Sequence, residues 1–207
     1  MRYRAPDLAP DARFEHEVVV EKSRFIAWLC HAPTALAFDS LLKAARAEHP
    51  AASHHCSAFI AGPPGEQTHI GFSDDGEPGG TAGRPMYQAL TGSGLGETGC
   101  VVIRYFGGTK LGTGGLARTY ALAVNKALET LPTREIVERT PYRVKVDFAS
   151  EAQARAWFDE QSAPVANADY DGQGVTLTVE WPTDEPADFT ALESRLKGAL
   201  EIRRADT

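Results

Sequence analysis

Two glycine-crowded segments hold most of the residues in this chain that are equipped to bind another molecule. They are S-D-D-G-E-P-G-G-T-A-G-R-P, from Ser73 to Pro85, and V-V-I-R-Y-F-G-G-T-K-L-G-T-G-G-L-A-R, from Val101 to Arg118. A glycine turn that opens a helix aims free N–H groups and the positive end of the helix dipole at an anion. In the second segment Gly107, Gly108, Gly112, Gly114 and Gly115 supply such backbone, and Arg104, Lys110 and Arg118 bracket it. Arg84 adds a further cation, Glu97 is the only acid between Arg84 and Arg118, and Lys22 and Arg24 offer cationic contacts beside the first segment. These eleven residues are the candidate nucleic-acid or anion-binding set. The glycine run fits neither G-x-x-x-x-G-K-[ST] nor G-x-G-x-x-G, because Lys110 precedes the later glycines. A purely structural use, letting a strand and a helix pack closely, is the competing reading.

Asp74, Asp75 and Glu77 form an acidic loop. Hard cations such as Mg²⁺ prefer carboxylate oxygens, but Asp on a tight turn equally bonds nearby backbone N–H groups and caps a following helix. No second carboxylate cluster accompanies the loop, so no metal is expected. His54-His55-Cys56 invites a zinc or nucleophile assignment, yet adjacent residues on a strand point to opposite faces, and no other Cys or His has useful ligand spacing. No catalytic residue and no cofactor is assigned.

The elements that must position these residues follow from periodicity. Residues 14–31 read as two strands meeting in a tight turn at Lys22-Ser23, and a helix from about Thr34 to Glu48 follows, ended by Pro50. Ser57–Ala61 and Thr68–Phe72 read as strands, Thr81 as the N-cap of a short helix holding Met86 and Leu90, and Cys100–Phe106 as a central strand. Leu116, Tyr120, Val124, Leu128 and Leu131 make the apolar stripe of a longer helix. Beyond it come a strand (Tyr142–Phe148), a helix (Glu151–Glu160), two strands (Val165–Tyr170 and Val175–Trp181) and a helix (Pro186–Leu200), a β-α-β-β-α order that suits a ferredoxin-like sandwich. The polar T-R-E-I-V-E-R-T at Thr133–Thr140 is the expected linker, giving domains 1–135 and 136–207.

Of the 19 glycines, 16 lie between Gly62 and Gly115, which gathers left-handed turns and close backbone approaches in the first domain. The composition, 43% hydrophobic and 24% charged, is that of an ordinary folded domain. Residues 1–135 carry a net −1 and residues 136–207 a net −6, which excludes an indiscriminate polyanion binder. Cys30, Cys56 and Cys100 are an odd number inside apolar runs and read as reduced core thiols. No apolar run reaches membrane-spanning length and no h-region follows M-R-Y-R, so the expected location is the cytoplasm, with no membrane contact.

The strings K-S-R-F-I-A (22–27), H-H-C-S-A-F (54–59), F-S-D-D-G-E-P-G-G-T-A-G-R-P-M (72–86) and V-V-I-R-Y-F-G-G-T-K-L-G-T-G-G-L-A-R-T-Y (101–120) strongly resemble the YigZ/IMPACT family in its bacterial two-domain form. The resemblance is dense over about residues 14–130. It implies an α+β first domain like the second domain of ribosomal protein S5, and a ferredoxin-like second domain similar to the last domain of elongation factor G. It also implies a nucleic-acid or ribosome-associated role with no established enzymatic activity. Where many members carry a tyrosine and an arginine after the H-x-C motif, this chain has Ser57 and Ile60, one positive charge fewer.

The sequence therefore leads to a non-catalytic, translation-linked binding or regulatory protein. Its first domain is expected to contact RNA, the ribosome or a translation-associated protein through the glycine loops. Two rivals remain open at this point: a Mg-dependent hydrolase or phosphotransferase using Asp74, Asp75 and Glu77, and a protein–protein adaptor acting through the acidic second domain.

Overall fold

The computed structural model describes residues 1–196 and 200–205. The chain divides into two compact units, Tyr3–Ile136 and Val137–Thr207 together with Met1–Arg2.

In the larger unit β1 (Arg2–Pro6) opens the chain, followed by β2 (Phe14–Val20) and β3 (Ser23–His31), which form an antiparallel hairpin. Its two turn residues, Glu21 and Lys22, both have positive φ, 47° and 64°, the geometry that matches strand twist in a two-residue loop. Helix α1 (Ala35–Glu48) starts where Thr34 accepts a hydrogen bond from the Ala37 N–H. Then come β4 (His54–Ile60), β5 (Ile70–Ser73), α2 (Gly83–Gly92), β6 (Thr98–Tyr105) and α3 (Gly112–Thr130). The five strands order as β2-β3-β6-β4-β5 with every pairing antiparallel.

Both faces of this sheet are covered. Phe25, Ala27, Leu29, Cys56, Ala58, Cys100 and Val102 pack with Met86 and Leu90 of α2 and Leu116, Tyr120 and Val124 of α3. The alternate positions Ile26, Trp28, Val101 and Ile103 pack with Phe38, Leu41 and Ala45 of α1. Burial on both faces is why β3 and β6 read as near-continuous apolar runs rather than alternating ones. Leaving His54 and Arg104 on the α2/α3 face, and His55 on the α1 face, follows from the two-residue period of β4 and β6.

The expected linker is not one. Thr133–Val137 is strand β7, paired with β1, and its polar residues belong to a two-stranded ribbon that has no broad face to bury. Strand β8 (Arg139–Val146) follows directly, then α4 (Glu151–Glu160), β9 (Val165–Tyr170), β10 (Val175–Pro182), α5 (Thr190–Leu196) and β11 (Glu201–Arg204). The sheet order is β11-β8-β10-β9, antiparallel throughout, over a core that includes Trp157, Phe158, Leu177, Trp181 and Leu192. The last helix begins at Thr190 instead of Pro186; of its expected stretch to Leu200, residues 197–199 lie outside the described residues and Leu200 is not helical. Strand β11 completes a β-α-β-β-α-β order.

Candidate anion-binding cleft

The acidic loop is a device for starting α2. The residue at the N-cap position is Ala82, which has no side chain able to accept a bond, so Thr81 is not the cap. Thr81 instead donates to the Pro78 carbonyl at 2.6 Å. The cap comes from upstream: Asp74 accepts from the N–H groups of Gly80 at 2.7 Å, Ala82 at 2.9 Å and Gly83 at 2.8 Å. Burial works to raise the Asp74 pKa, but these three backbone donors outweigh it and hold the carboxyl below its ordinary value. Gly83 is required here, because a Cβ would come within 2.7 Å of the Ser73 nitrogen.

The other two acids are committed elsewhere. Asp75 accepts from the His55 N–H and from Arg46 Nη2, both at 2.7 Å. Glu77 is buried, and its Oε1 accepts from Arg104 Nη1 at 2.5 Å and from the Tyr120 hydroxyl at 2.7 Å. The three carboxylates thus serve a helix start, a strand edge and a buried cation, and do not converge. Among the described residues no group of three or more His, Cys, Asp or Glu has the arrangement of a metal site. Asp74, Asp75 and Glu77, grouped by the sequence as one acidic loop, thus each have separate protein partners.

Around Glu77 lies a polar network within the core. His54 donates from Nδ1 to the Asp75 carbonyl at 2.8 Å, and its Nε2 is 3.7 Å from Glu77 Oε2. The Cys56 thiol donates to the Asp74 carbonyl at 3.0 Å and lies 3.3 Å from the Tyr120 hydroxyl. Burial pushes the Cys56 thiol up to about 12 and the Tyr120 hydroxyl well above its ordinary value, which favours the neutral form of both. Burial also holds His55 below the usual histidine value, while its Nε2 donates to the His49 carbonyl at 3.1 Å.

The second glycine segment runs differently. Arg104, 5% exposed, sits with its guanidinium carbon 5.3 Å from the Phe25 ring centroid and 5.6 Å from that of Phe106, and its buried Nε has no hydrogen-bond partner among the described residues. Gly107 is where the chain crosses the β2–β3 turn: a Cβ there would be 2.0 Å from the Lys22 carbonyl carbon. Its N–H donates to Ser23 Oγ at 3.0 Å. Gly108 and Gly112 have φ of +91° and +70° and turn the chain into α3. No side chain caps α3, and no acidic residue stands in its first turn. The first N–H groups of a helix lack intrahelical acceptors and carry the positive end of its dipole.

These features meet in a cleft of about 380 Å³ lined by His54, Glu77, Arg104, Lys110, Gly112 and Thr113 together with the apolar Pro78, Phe106, Leu111 and Leu116. Of the predicted set, the fold brings together Arg104, Lys110, Gly112 and Glu77. Arg84 and Arg118 lie outside the cleft, exposed on the first turn of α2 and the second turn of α3, and neither makes an ion pair with another described residue. Arg24 is taken by Glu17 in a two-pronged pair at 2.9 and 2.8 Å, and Lys22 sits on the hairpin turn. Gly114 and Gly115 lie in the first turn of α3, where an added Cβ would meet Arg118 Nη1 at 3.4 Å and Leu111 Cβ at 3.1 Å respectively. Sequence reasoning missed Tyr120 and Phe106 as site residues. Tyr120 reads as one member of an apolar helix stripe, and only its hydroxyl marks it as a partner for a buried acid.

The profile of the Impact N-terminal domain matches residues 21–128. The chain is 41% identical over 184 residues to the IMPACT family member YigZ of Escherichia coli (strain K12), covering 88% of this chain and 90% of that one. It is 47% identical over 144 residues to an IMPACT family member of Haemophilus influenzae, covering 68% of each. A solved structure described as an hypothetical protein is 38% identical, with a TM-score of 0.71 over 99% of this chain and 98% of that one. A profile match over more than half of the chain, together with a relative matched over nearly its whole length, places this protein in the IMPACT family.

Proposed function

We propose that the protein is a non-catalytic, translation-linked binding protein whose larger unit contacts RNA, alone or within the ribosome, through phosphate. The observation that carries this reading is the uncapped N-terminus of α3 opening on a cleft with Arg104 and Lys110. A helix start with free N–H groups beside two cations attracts anions without any further device. Exposed Arg84 and Arg118 extend the positive surface beyond the cleft. Family membership supports the link to translational regulation.

On the same reading the larger unit is like the second domain of ribosomal protein S5. The smaller unit is ferredoxin-like and similar to the last domain of elongation factor G, and its β-α-β-β-α-β order supports that likeness. The smaller unit's surplus of acids leaves RNA contact to the larger one.

Co-sedimentation of the full chain with ribosomes tests this. Lys110→Glu combined with Arg118→Glu is expected to abolish co-sedimentation at low salt while leaving the thermal unfolding midpoint in place, since neither side chain makes a described ion pair. Unchanged co-sedimentation would refute the proposed surface.

A further inference from the structure

Resting on the RNA-binding reading above, we propose that the cleft receives one unpaired guanine of a single-stranded RNA. The donors on the pairing edge of the guanine meet Glu77 and His54, and its ring lies against Phe106. Glu77 carries the argument. Its side chain is only 4% exposed, yet it lines the cleft. Both of its described hydrogen bonds, from Arg104 and from Tyr120, end on Oε1. Oε2 accepts none among the described residues: His54 Nε2 stands 3.7 Å away, too far for a hydrogen bond.

His54, which also lines the cleft, adds a second acceptor. Its Nδ1 lies 2.8 Å from the Asp75 carbonyl, which can only accept, so in the neutral ring Nδ1 carries the hydrogen and Nε2 a lone pair. Two acceptors, one of them on a nearly buried carboxylate, thus stand side by side in the cleft lining with no donor between them. Nearly buried polar groups are seldom left in that condition, and a ligand with donors relieves it.

A pair of acceptors selects a pair of donors. Guanine sets two neighbouring donors on its pairing edge, the ring N1–H and the 2-amino group, whereas adenine and cytosine set an amino group beside a ring acceptor and uracil sets one N–H between two carbonyls. Unpaired RNA bases are read in this way, by hydrogen bonds to that edge and by stacking on aromatic side chains. The base is neutral and brings no negative charge to the carboxylate. The rest of the lining suits a flat ring: Pro78, Leu111 and Leu116 are apolar, and the Phe106 ring is 51% exposed. A volume of about 380 Å³ falls within the range of about 300–1,000 Å³ usual for sites that enclose small molecules. The phosphates on either side of the base stay outside, within reach of the exposed Lys110.

Fluorescence anisotropy with the full chain tests this, using a short oligouridine whose central position is uridine, adenosine, cytidine, guanosine or inosine. The guanosine RNA is expected to bind about tenfold or more tighter than the other four, the gain of a hydrogen bond to a charged acceptor. Inosine keeps N1–H and lacks only the amino group, so it isolates that donor. Phe106→Ala changes an exposed ring; it is expected to leave the melting temperature in place and to weaken the guanosine RNA by about fivefold or more. Equal affinity for all five RNAs, or inosine as tight as guanosine, would overturn this inference and leave the broader RNA-binding reading standing. No binding of any of them would overturn both. Competition by free guanosine as potent as that of the guanosine RNA would overturn the assignment to RNA in favour of a free nucleoside.

Discussion

Glu77 and Arg104 form an ion pair with Oε1 2.5 Å from Nη1, and their side chains are only 4% and 7% exposed. Two charges this deep are held by each other and by the Tyr120 hydroxyl. Breaking such a pair leaves an uncompensated buried charge, which costs about 3–5 kcal/mol. Glu77→Ala is therefore expected to lower the urea-unfolding free energy of the larger unit by that amount. Glu77→Leu combined with Arg104→Met should recover most of the loss, because well-packed apolar replacements remove both desolvation costs. A loss below about 1 kcal/mol for the single variant would show that the pair is solvated.

Asp74 caps α2 through three backbone N–H groups. Asp74→Ala is expected to cost about 1–2 kcal/mol, in the range of strong helix caps. The pH dependence follows from the depressed folded pKa. The unfolded chain binds its proton first, near the ordinary value of about 3.9, so the stabilisation is complete above that value and is lost as pH falls through the folded one. Asp74→Asn should flatten the acid limb of a stability–pH curve below about pH 4. An unchanged limb would assign acid unfolding to other carboxylates.

His55 acts in a higher window. Its folded pKa is lowered by burial, so below about 6.5 the unfolded chain takes up a proton that the folded chain does not. Stability should begin to decline there, and His55→Gln should remove that decline while leaving the step below pH 4. Denaturation midpoints between pH 4.5 and 7.5 measure this; parallel curves for the two proteins would contradict it.

The glycines of the second segment separate by steric need. At Gly107 an added Cβ would lie 2.0 Å from the Lys22 carbonyl carbon and 2.3 Å from the Ser23 nitrogen. Gly107→Ala should destabilise by about 1–3 kcal/mol or more, as overpacking against backbone does. At Gly114, in the first turn of α3, the nearest atom is the flexible end of Arg118 at 3.4 Å. Gly114→Ala should stabilise by up to about 1 kcal/mol through helix propensity. Equal effects at the two positions would mean that the crossing at Gly107 relaxes freely.

Much of the larger unit was legible from periodicity. The hairpin, α1, the central position of Cys100–Phe106 and the stripe of α3 are local patterns, and local patterns survive in sequence. Strands β1 and β11 were missed because their partners, β7 and β8, are distant in the chain and their residues are mostly polar. Thr133–Thr140 misled for the same reason: a polar two-stranded ribbon looks like a linker. The glycine segments point to the candidate cleft, but not to its contents. That Asp74 caps a helix eight residues away, and that Arg104 turns inward to meet Glu77, are long-range facts which no spacing rule encodes. Arg24 and Lys22, chosen for charge, are committed to the hairpin.

The salt dependence of binding to a structured RNA is the most direct measurement of the central claim. Phosphate contact releases counterions, so log K should fall linearly with log salt concentration. For the full chain the account predicts a steep slope that becomes shallower by about one in Lys110→Ala and by a further one when Arg118→Ala is added. A slope near zero, or one that neither substitution changes, would contradict the account.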